Sequence, residues 1–241
     1  MPTNPVSGSR AGDFTIIVNI FTTAPKKSPF KHQLIPMSRG SKLFLHGGGD
    51  HARVVLDCLQ EQGVEVSGIF DPKLSGSLFG VPHLGQYDPG YAPGSKSVIA
   101  IGDNAIRRKV AESSKHVFIN VIHSSAVISS KVEMGEGNMV LHRAILQAKT
   151  KIGNHVIINT GAQADHDCLV GDYVHLAQGA ILCGTVTVGT GSFVGAGAIV
   201  LPGKKIGAWT VIGAGSVVRT DIPDYAVAVG NPARVIKYNM E

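Results

Sequence analysis

Several things are scarce in this 241-residue chain, and each scarcity excludes something. Three cysteines, Cys58, Cys168 and Cys183, form an odd set with no C-x-x-C spacing. That rules against a disulfide framework or a cysteine-built zinc site and predicts reduced thiols in a cytoplasmic protein. No apolar run approaches the roughly 20 residues needed to span a bilayer, although mean hydropathy is +0.16. The longest candidate, Phe14 to Ala24, is broken by Asn19, Thr22 and Thr23. We therefore expect no membrane insertion. With 44% hydrophobic residues, the chain is not a disordered one either.

Net positive charge is also scarce where it would matter. Residues 1–39 carry +4 of the total +5, from Arg10, Lys26, Lys27, Lys31 and Arg39 against Asp13, leaving about +1 for residues 40–241. A nucleic-acid binder carries its charge on the folded surface, so that partner is excluded. The 1–39 segment has five prolines, no periodicity and no secretory layout. It is read as a leader outside the fold, with Met37 marking the natural start.

What the chain does have is two patterns in succession. From Lys42, short apolar runs alternate with helical ones: Leu43–Leu45, then Gly47-Gly48-Gly49, a helix over Ala52–Gln62 with Val54, Val55, Leu56 and Leu59 on its buried face, and a strand over Val64–Phe70. Ser97–Ile101, a short helix through Arg107 and Val110, and Val117–Val121 follow. Alternation of this kind predicts a small Rossmann-like α/β domain over residues 40–121, with a parallel sheet.

After Val121 an aliphatic residue or Met recurs at every sixth position, from Ile122, Ile128, Met134 and Val140 through to Val200, Ile206 and Ile212. Ala164 is the one weak link. A glycine follows that residue every eighteen positions, at Gly135, Gly153, Gly171, Gly189 and Gly207. Period six fits neither a helix nor a simple strand. It predicts coils of three short strands, stacked so that each aliphatic meets its counterpart one coil away. This second domain covers residues 122–241.

The hexads resemble those of the left-handed parallel β-helix acyltransferases, and the ending Gly230-Asn231-Pro232-Ala233-Arg234 is similar to their G-x-P-A-[KR] tail. With the preceding α/β domain, residues 42–237 resemble the group that acetylates bacterial amino sugars. That group includes bacillosamine- and perosamine-type nucleotide-sugar N-acetyltransferases and sialic acid O-acetyltransferases. The left-handedness is implied by this resemblance.

The resemblance assigns roles. Ala164-Asp165-His166-Asp167-Cys168 looks like the catalytic corner, with His166 as general base and Asp167 raising its basicity. An isolated His–Asp pair is more often a solvated surface pair, but inside this repeat it reads as base and partner. His175, Ala196 and Ala214 match positions that meet acetyl-CoA, the expected co-substrate. Gly184 is a candidate backbone donor for the thioester oxyanion. Lys204, Lys205 and Arg219 are weaker candidates for CoA phosphates. Nine residues separate His166 from His175, half a coil, so the two should lie on different sides of one prism. They can serve one site only if subunits pack side by side, and the resemblance implies a homotrimer with active sites between subunits.

In the α/β domain, Gly47-x-Gly49-x-x-Ala52 is a glycine turn before a helix, and Asp71 closes the next strand. Taken alone this is a weak NAD fingerprint. About 80 residues make only half of a dinucleotide fold, so a mononucleotide is the better ligand. The family binds its nucleotide sugar here, and Gly49, Asp50, His51, Asp71, Pro72 and Gly102 match its contacts. Asp50 and Pro72 depart from the usual residues, which leaves base and sugar open. Trimeric β-helix carbonic anhydrases bind zinc through histidines, but no two coil histidines here show their H-x-x-x-x-H spacing, so no metal is expected. The resulting expectation is N-acetylation of a nucleotide-linked 4-amino-4,6-dideoxy sugar. O-acetylation of sialic acid and a non-catalytic nucleotide-binding scaffold are the alternatives.

Overall fold

The computed structural model describes residues 42–239; the leader and Met37 lie outside that range. Four parallel strands open the fold: β1 (Leu43–His46), β2 (Gly68–Phe70), β5 (Lys96–Ile99) and β6 (Val117–Phe118), in the order β2-β1-β5-β6. A short hairpin, β3 (Ser77–Leu78) and β4 (Val81–Pro82), lies between β2 and β5. Helix α1 (Asp50–Gln60) and helix α2 (Asn104–Ser113) provide the connections. The helix begins two residues earlier than its periodicity predicts. Its buried face is Ala52, Val55, Leu56, Cys58 and Leu59, while Val54 is half exposed. The predicted second strand is shortened to Gly68–Phe70, and residues 64–67 are loop.

From Val121 the chain winds into a β-helix of about seven turns, of the left-handed parallel class. Two-residue strands stack on three faces, each paired with the strand eighteen residues on; Ile157, His175 and Phe193 are successive partners on the first face. The second residue of each strand points inward. Val140, Ile158, Leu176, Val194 and Ile212 are fully buried, and so is the weak link Ala164. The small residues at the corners, Ala144, Ala162, Ala180 and Ala198, also point in, because a prism narrows at its edges. From the second coil on, the corners turn through a residue with left-handed φ: Arg143, Gly161, Gly179, Gly197 and Gly215 stack along the edge from first to second face. Lys149, Asp167, Thr185 and Gly203 stack along the edge from second to third.

The two parts share a core. Val121, Met139, Leu141 and Ile157 of the first coils pack with Leu43, Leu45, Leu56 and Leu59. At the junction lies Arg107, fully buried. Its guanidinium donates to the carbonyls of His155 (2.8 Å), Ile101 (2.9 Å), Gly102 (3.3 Å) and Tyr173 (2.8 Å) and to Asn104 Oδ1 (2.8 Å). These acceptors belong to α2, the loop after β5 and the β-helix. Replacing Arg107 by Ala strands several buried carbonyls, each costing about 1–3 kcal/mol. We expect R107A to lower unfolding stability by at least about 2 kcal/mol in a urea titration; a change within about 0.5 kcal/mol would refute the clamp.

Candidate active site

Two chemically distinct regions emerge. The first is a cavity of about 510 Å³ at the carboxyl ends of β1, β2 and β5, where an open parallel sheet holds ligands. All six residues predicted for the nucleotide sugar line it: Gly49, Asp50, His51, Asp71, Pro72 and Gly102. Gly49 caps α1 with no side chain, so the first-turn N–H groups face the cavity, an arrangement suited to phosphate. Asp50 contributes backbone here, since its carboxylate stands in solvent beside Arg53. The Asp71 carboxylate is already engaged, accepting from the backbone N–H of Gly48 (2.9 Å) and Lys73 (2.8 Å). It shapes the glycine loop from the next strand.

His51 is the polar group in this cavity with most to gain from a ligand. Its Nε2 is buried without a hydrogen-bond partner. Burial, then the charge of Arg107, lowers its pKa to about 4, so it faces a ligand as a neutral ring. His175 lies alongside: ring centroids are 6.0 Å apart, and His175 Nδ1 is 3.2 Å from the Gly102 carbonyl. That carbonyl only accepts, which places the proton on Nδ1 and turns the Nε2 lone pair toward Asn159 Nδ2 at 3.1 Å. Burial first, then Arg107 and His51, hold His175 down to about 3.

Sequence reasoning missed the floor of this cavity. His46, Phe70 and Tyr87 line it, with His46 packed edge-on to Tyr87 and Nε2 at 3.2 Å from His116 Nδ1. The available signal was position: His46 and Phe70 end adjacent parallel strands. Tyr87 lies in a loop and gave none.

The second region is the edge between the second and third faces. His166 Nδ1 is 2.9 Å from Asp167 Oδ2, and the Asp165 carboxylate accepts from the His166 backbone N–H at 2.7 Å. Because the Asp167 carboxylate accepts a hydrogen bond from Nδ1–H, the proton stays on Nδ1 and Nε2 carries the lone pair. Asp167 reaches its neighbour from a left-handed φ of 57°, a conformation aspartate tolerates better than most residues. Gly184 lies one coil on, beneath the ring: a Cβ there would come within 2.5 Å of His166 Nε2. Its carbonyl accepts from Gly203 N–H, while its own N–H has no acceptor among the described residues. The His166 side chain is 57% exposed in a single chain.

The predicted residues thus divide. His166 and Gly184 share one edge. Ala196 and Ala214 are exposed on the edge between the first and second faces, and His175 lies on the first face beside the cavity. Of the three free thiols, Cys58 and Cys168 are buried and pushed up to about 12 and 11, which keeps them protonated and inert.

Comparison with known proteins covers both parts of the chain. The PglD N-terminal domain matches residues 42–114. A histidine-to-alanine variant of GDP-perosamine N-acetyltransferase from Caulobacter crescentus, solved with CoA and GDP-perosamine, is 39% identical, with a TM-score of 0.77 over 81% of this chain and 97% of that one. The acetyltransferase domain of PglB from Neisseria gonorrhoeae, solved with acetyl coenzyme A, is 32% identical, with a TM-score of 0.76 over 81% and 99%. WeeI from Acinetobacter baumannii is 27% identical, with a TM-score of 0.72 over 81% and 99%. A curated relative, the uncharacterised protein L142 of Acanthamoeba polyphaga mimivirus, is 32% identical over a 108-residue alignment that covers 41% of this chain and about a fifth (21%) of that protein's length. The chain belongs to the hexapeptide-repeat sugar acetyltransferases that carry a Rossmann-like, PglD-type N-terminal domain.

The buried neutral histidines set an acid limit on the fold. His46, His51, His155 and His175 are held at about 3 to 4 when folded, chiefly by burial, against 6.5 when unfolded. The unfolded chain therefore binds more protons below pH 6.5, and stability falls as pH drops from about 6.5 toward 4, by up to about 1.4 kcal/mol per pH unit for each histidine. Urea midpoints at pH 7 and pH 5 check this; equal midpoints would contradict it.

Proposed function

We propose that this protein transfers the acetyl group of acetyl-CoA to the 4-amino group of a nucleotide-linked 4-amino-4,6-dideoxy sugar, in bacterial surface glycan biosynthesis. The observation that carries the reading is the pairing of an oriented imidazole base, His166 with Asp167, with a cavity built for a nucleotide. His166 Nε2 takes a proton from the attacking amine, which is nucleophilic only through its lone pair. Asp167 holds the tautomer and favours the imidazolium that forms. The Gly184 N–H is free to meet the developing oxyanion, a contribution typically worth about 2.7–4 kcal/mol. The imidazolium returns its proton to the departing thiolate, and no acyl-enzyme is required. Ala196 and Ala214 leave the first edge open for the long CoA arm.

The working unit in this reading is a homotrimer. The cavity packs on the first face, whereas His166 occupies the edge opposite that face, so a sugar in the cavity is served by His166 of another copy. The second face supplies the contact: its outward residues are Val127, Ile145, Gln163, Ile181, Ile199 and Val217. The third face instead presents Glu133, Lys151, Leu169, Thr187 and Lys205. An apolar ladder of this length is best covered by an identical ladder. A completed site then takes its cavity, His175, Ala196 and Ala214 from one chain and His166 and Gly184 from the next. Free thiols, and the absence among the described residues of any helix long and apolar enough to cross a membrane, support a cytoplasmic setting.

Thiol release from acetyl-CoA, measured against UDP- and GDP-linked 4-amino-6-deoxy sugars and free sialic acid, tests this reading. We expect release with one nucleotide amino sugar and a loss of about 10²–10⁴-fold in His166→Ala. Release with sialic acid alone would establish the O-acetyl alternative. An unaffected His166→Ala would establish a scaffold.

A further inference from the structure

Away from both regions, Glu61, His123 and His142 converge at the seam between α1 and the first coils. Glu61 caps the C-terminus of α1. His123 follows the first strand of the first face, and His142 stands one coil later at the corner. Their ligand-type atoms all lie within 4.8 Å of one another. Glu61 Oε2 is 2.8 Å from His123 Nε2 and 3.8 Å from His142 Nε2, and the two rings stack at 3.6 Å between centroids.

We propose that this trio binds a divalent transition-metal ion, zinc being the best fit. Two imidazoles and one carboxylate are a donor set suited to zinc. Bonds of about 2.0–2.1 Å in tetrahedral geometry place donor atoms about 3.3 Å apart; the two Glu61–histidine distances, 2.8 and 3.8 Å, lie on either side of that spacing, and the stacked rings of His123 and His142 splay apart for both Nε2 lone pairs to meet one ion. Glu61 is half exposed and His142 about a quarter exposed, so an ion can enter from solvent and keep water as a fourth ligand. His123 is almost fully buried, which fixes one ligand in place.

The proton balance is local. Without an ion, His123 Nε2–H donates to Glu61, and Nδ1 accepts from the Ser125 backbone N–H at 3.1 Å. Binding at Nε2 requires the proton on Nδ1, where Ser125 Oγ at 2.7 Å is positioned to accept it. Histidine spacing along the chain did not reveal this set, and led to the expectation of no metal, because its members come from a helix and two successive coils. The ion would fasten α1 to the β-helix far from His166, so the proposal is independent of the acetyltransferase reading.

The test is cobalt binding by the full-length, chelator-stripped protein, followed by visible absorption and by metal content after gel filtration. One ion per chain with a d–d band is expected. Glu61→Gln and His142→Ala, both at solvent-accessible positions, should each weaken binding at least tenfold. Zinc should raise the melting temperature of the unaltered protein and leave that of both variants unchanged. Sub-stoichiometric retention, or binding that persists in both variants, would overturn the site. The alternative, a plain Glu61–His123 hydrogen bond, predicts no band and no thermal shift.

Discussion

The arrangement of this molecule depends on one buried guanidinium. Among the described residues Arg107 has no carboxylate in hydrogen-bond or ion-pair contact; carbonyl and amide oxygens from three segments solvate it instead. Burial pulls its pKa down to about 10, still far above neutrality, so it stays charged. Gly102, whose backbone edges the cavity, is held by the same residue that donates to two coil corners, at the carbonyls of His155 and Tyr173. Through Gly102 the restraint passes to His175, and the same charge helps keep His51, His155 and His175 neutral. The geometry of the cavity and its electrostatics therefore have a common origin.

The β-helix was legible because its rule is strict. One inward aliphatic every six residues, with small residues where the prism narrows, leaves a period that no other architecture shares. The α/β part was legible in outline, through the glycine turn and the strand–helix alternation. Its helix face was misjudged at Val54, because with apolar residues at 54, 55 and 56 in a row periodicity does not fix the rotation of α1, and the structure turns Ala52 and Cys58 inward in place of Val54. Arg107 was invisible as a clamp: nothing local marks a helical arginine whose partners are main-chain oxygens 48 and 66 residues away.

The site was partly legible. His166–Asp167 and Gly184 could be placed on one edge from the eighteen-residue period, and the structure adds why Gly184 must lack a side chain. The cavity's aromatic floor was not, since His46 and Tyr87 meet only through the sheet. Such convergence across segments is also what hides Glu61, His123 and His142 from spacing arguments.

The central claim is that base and cavity of one working site come from different chains. Co-expressing two individually inactive variants, His166→Ala and Ala196→Trp, tests it most directly. Random assembly pairs an intact cavity edge with an intact His166 edge at roughly a quarter of the sites, so mixed trimers should recover about that fraction of the thiol-release activity. Mixed assemblies that remain as inactive as either parent would place the whole site within one chain and contradict the account.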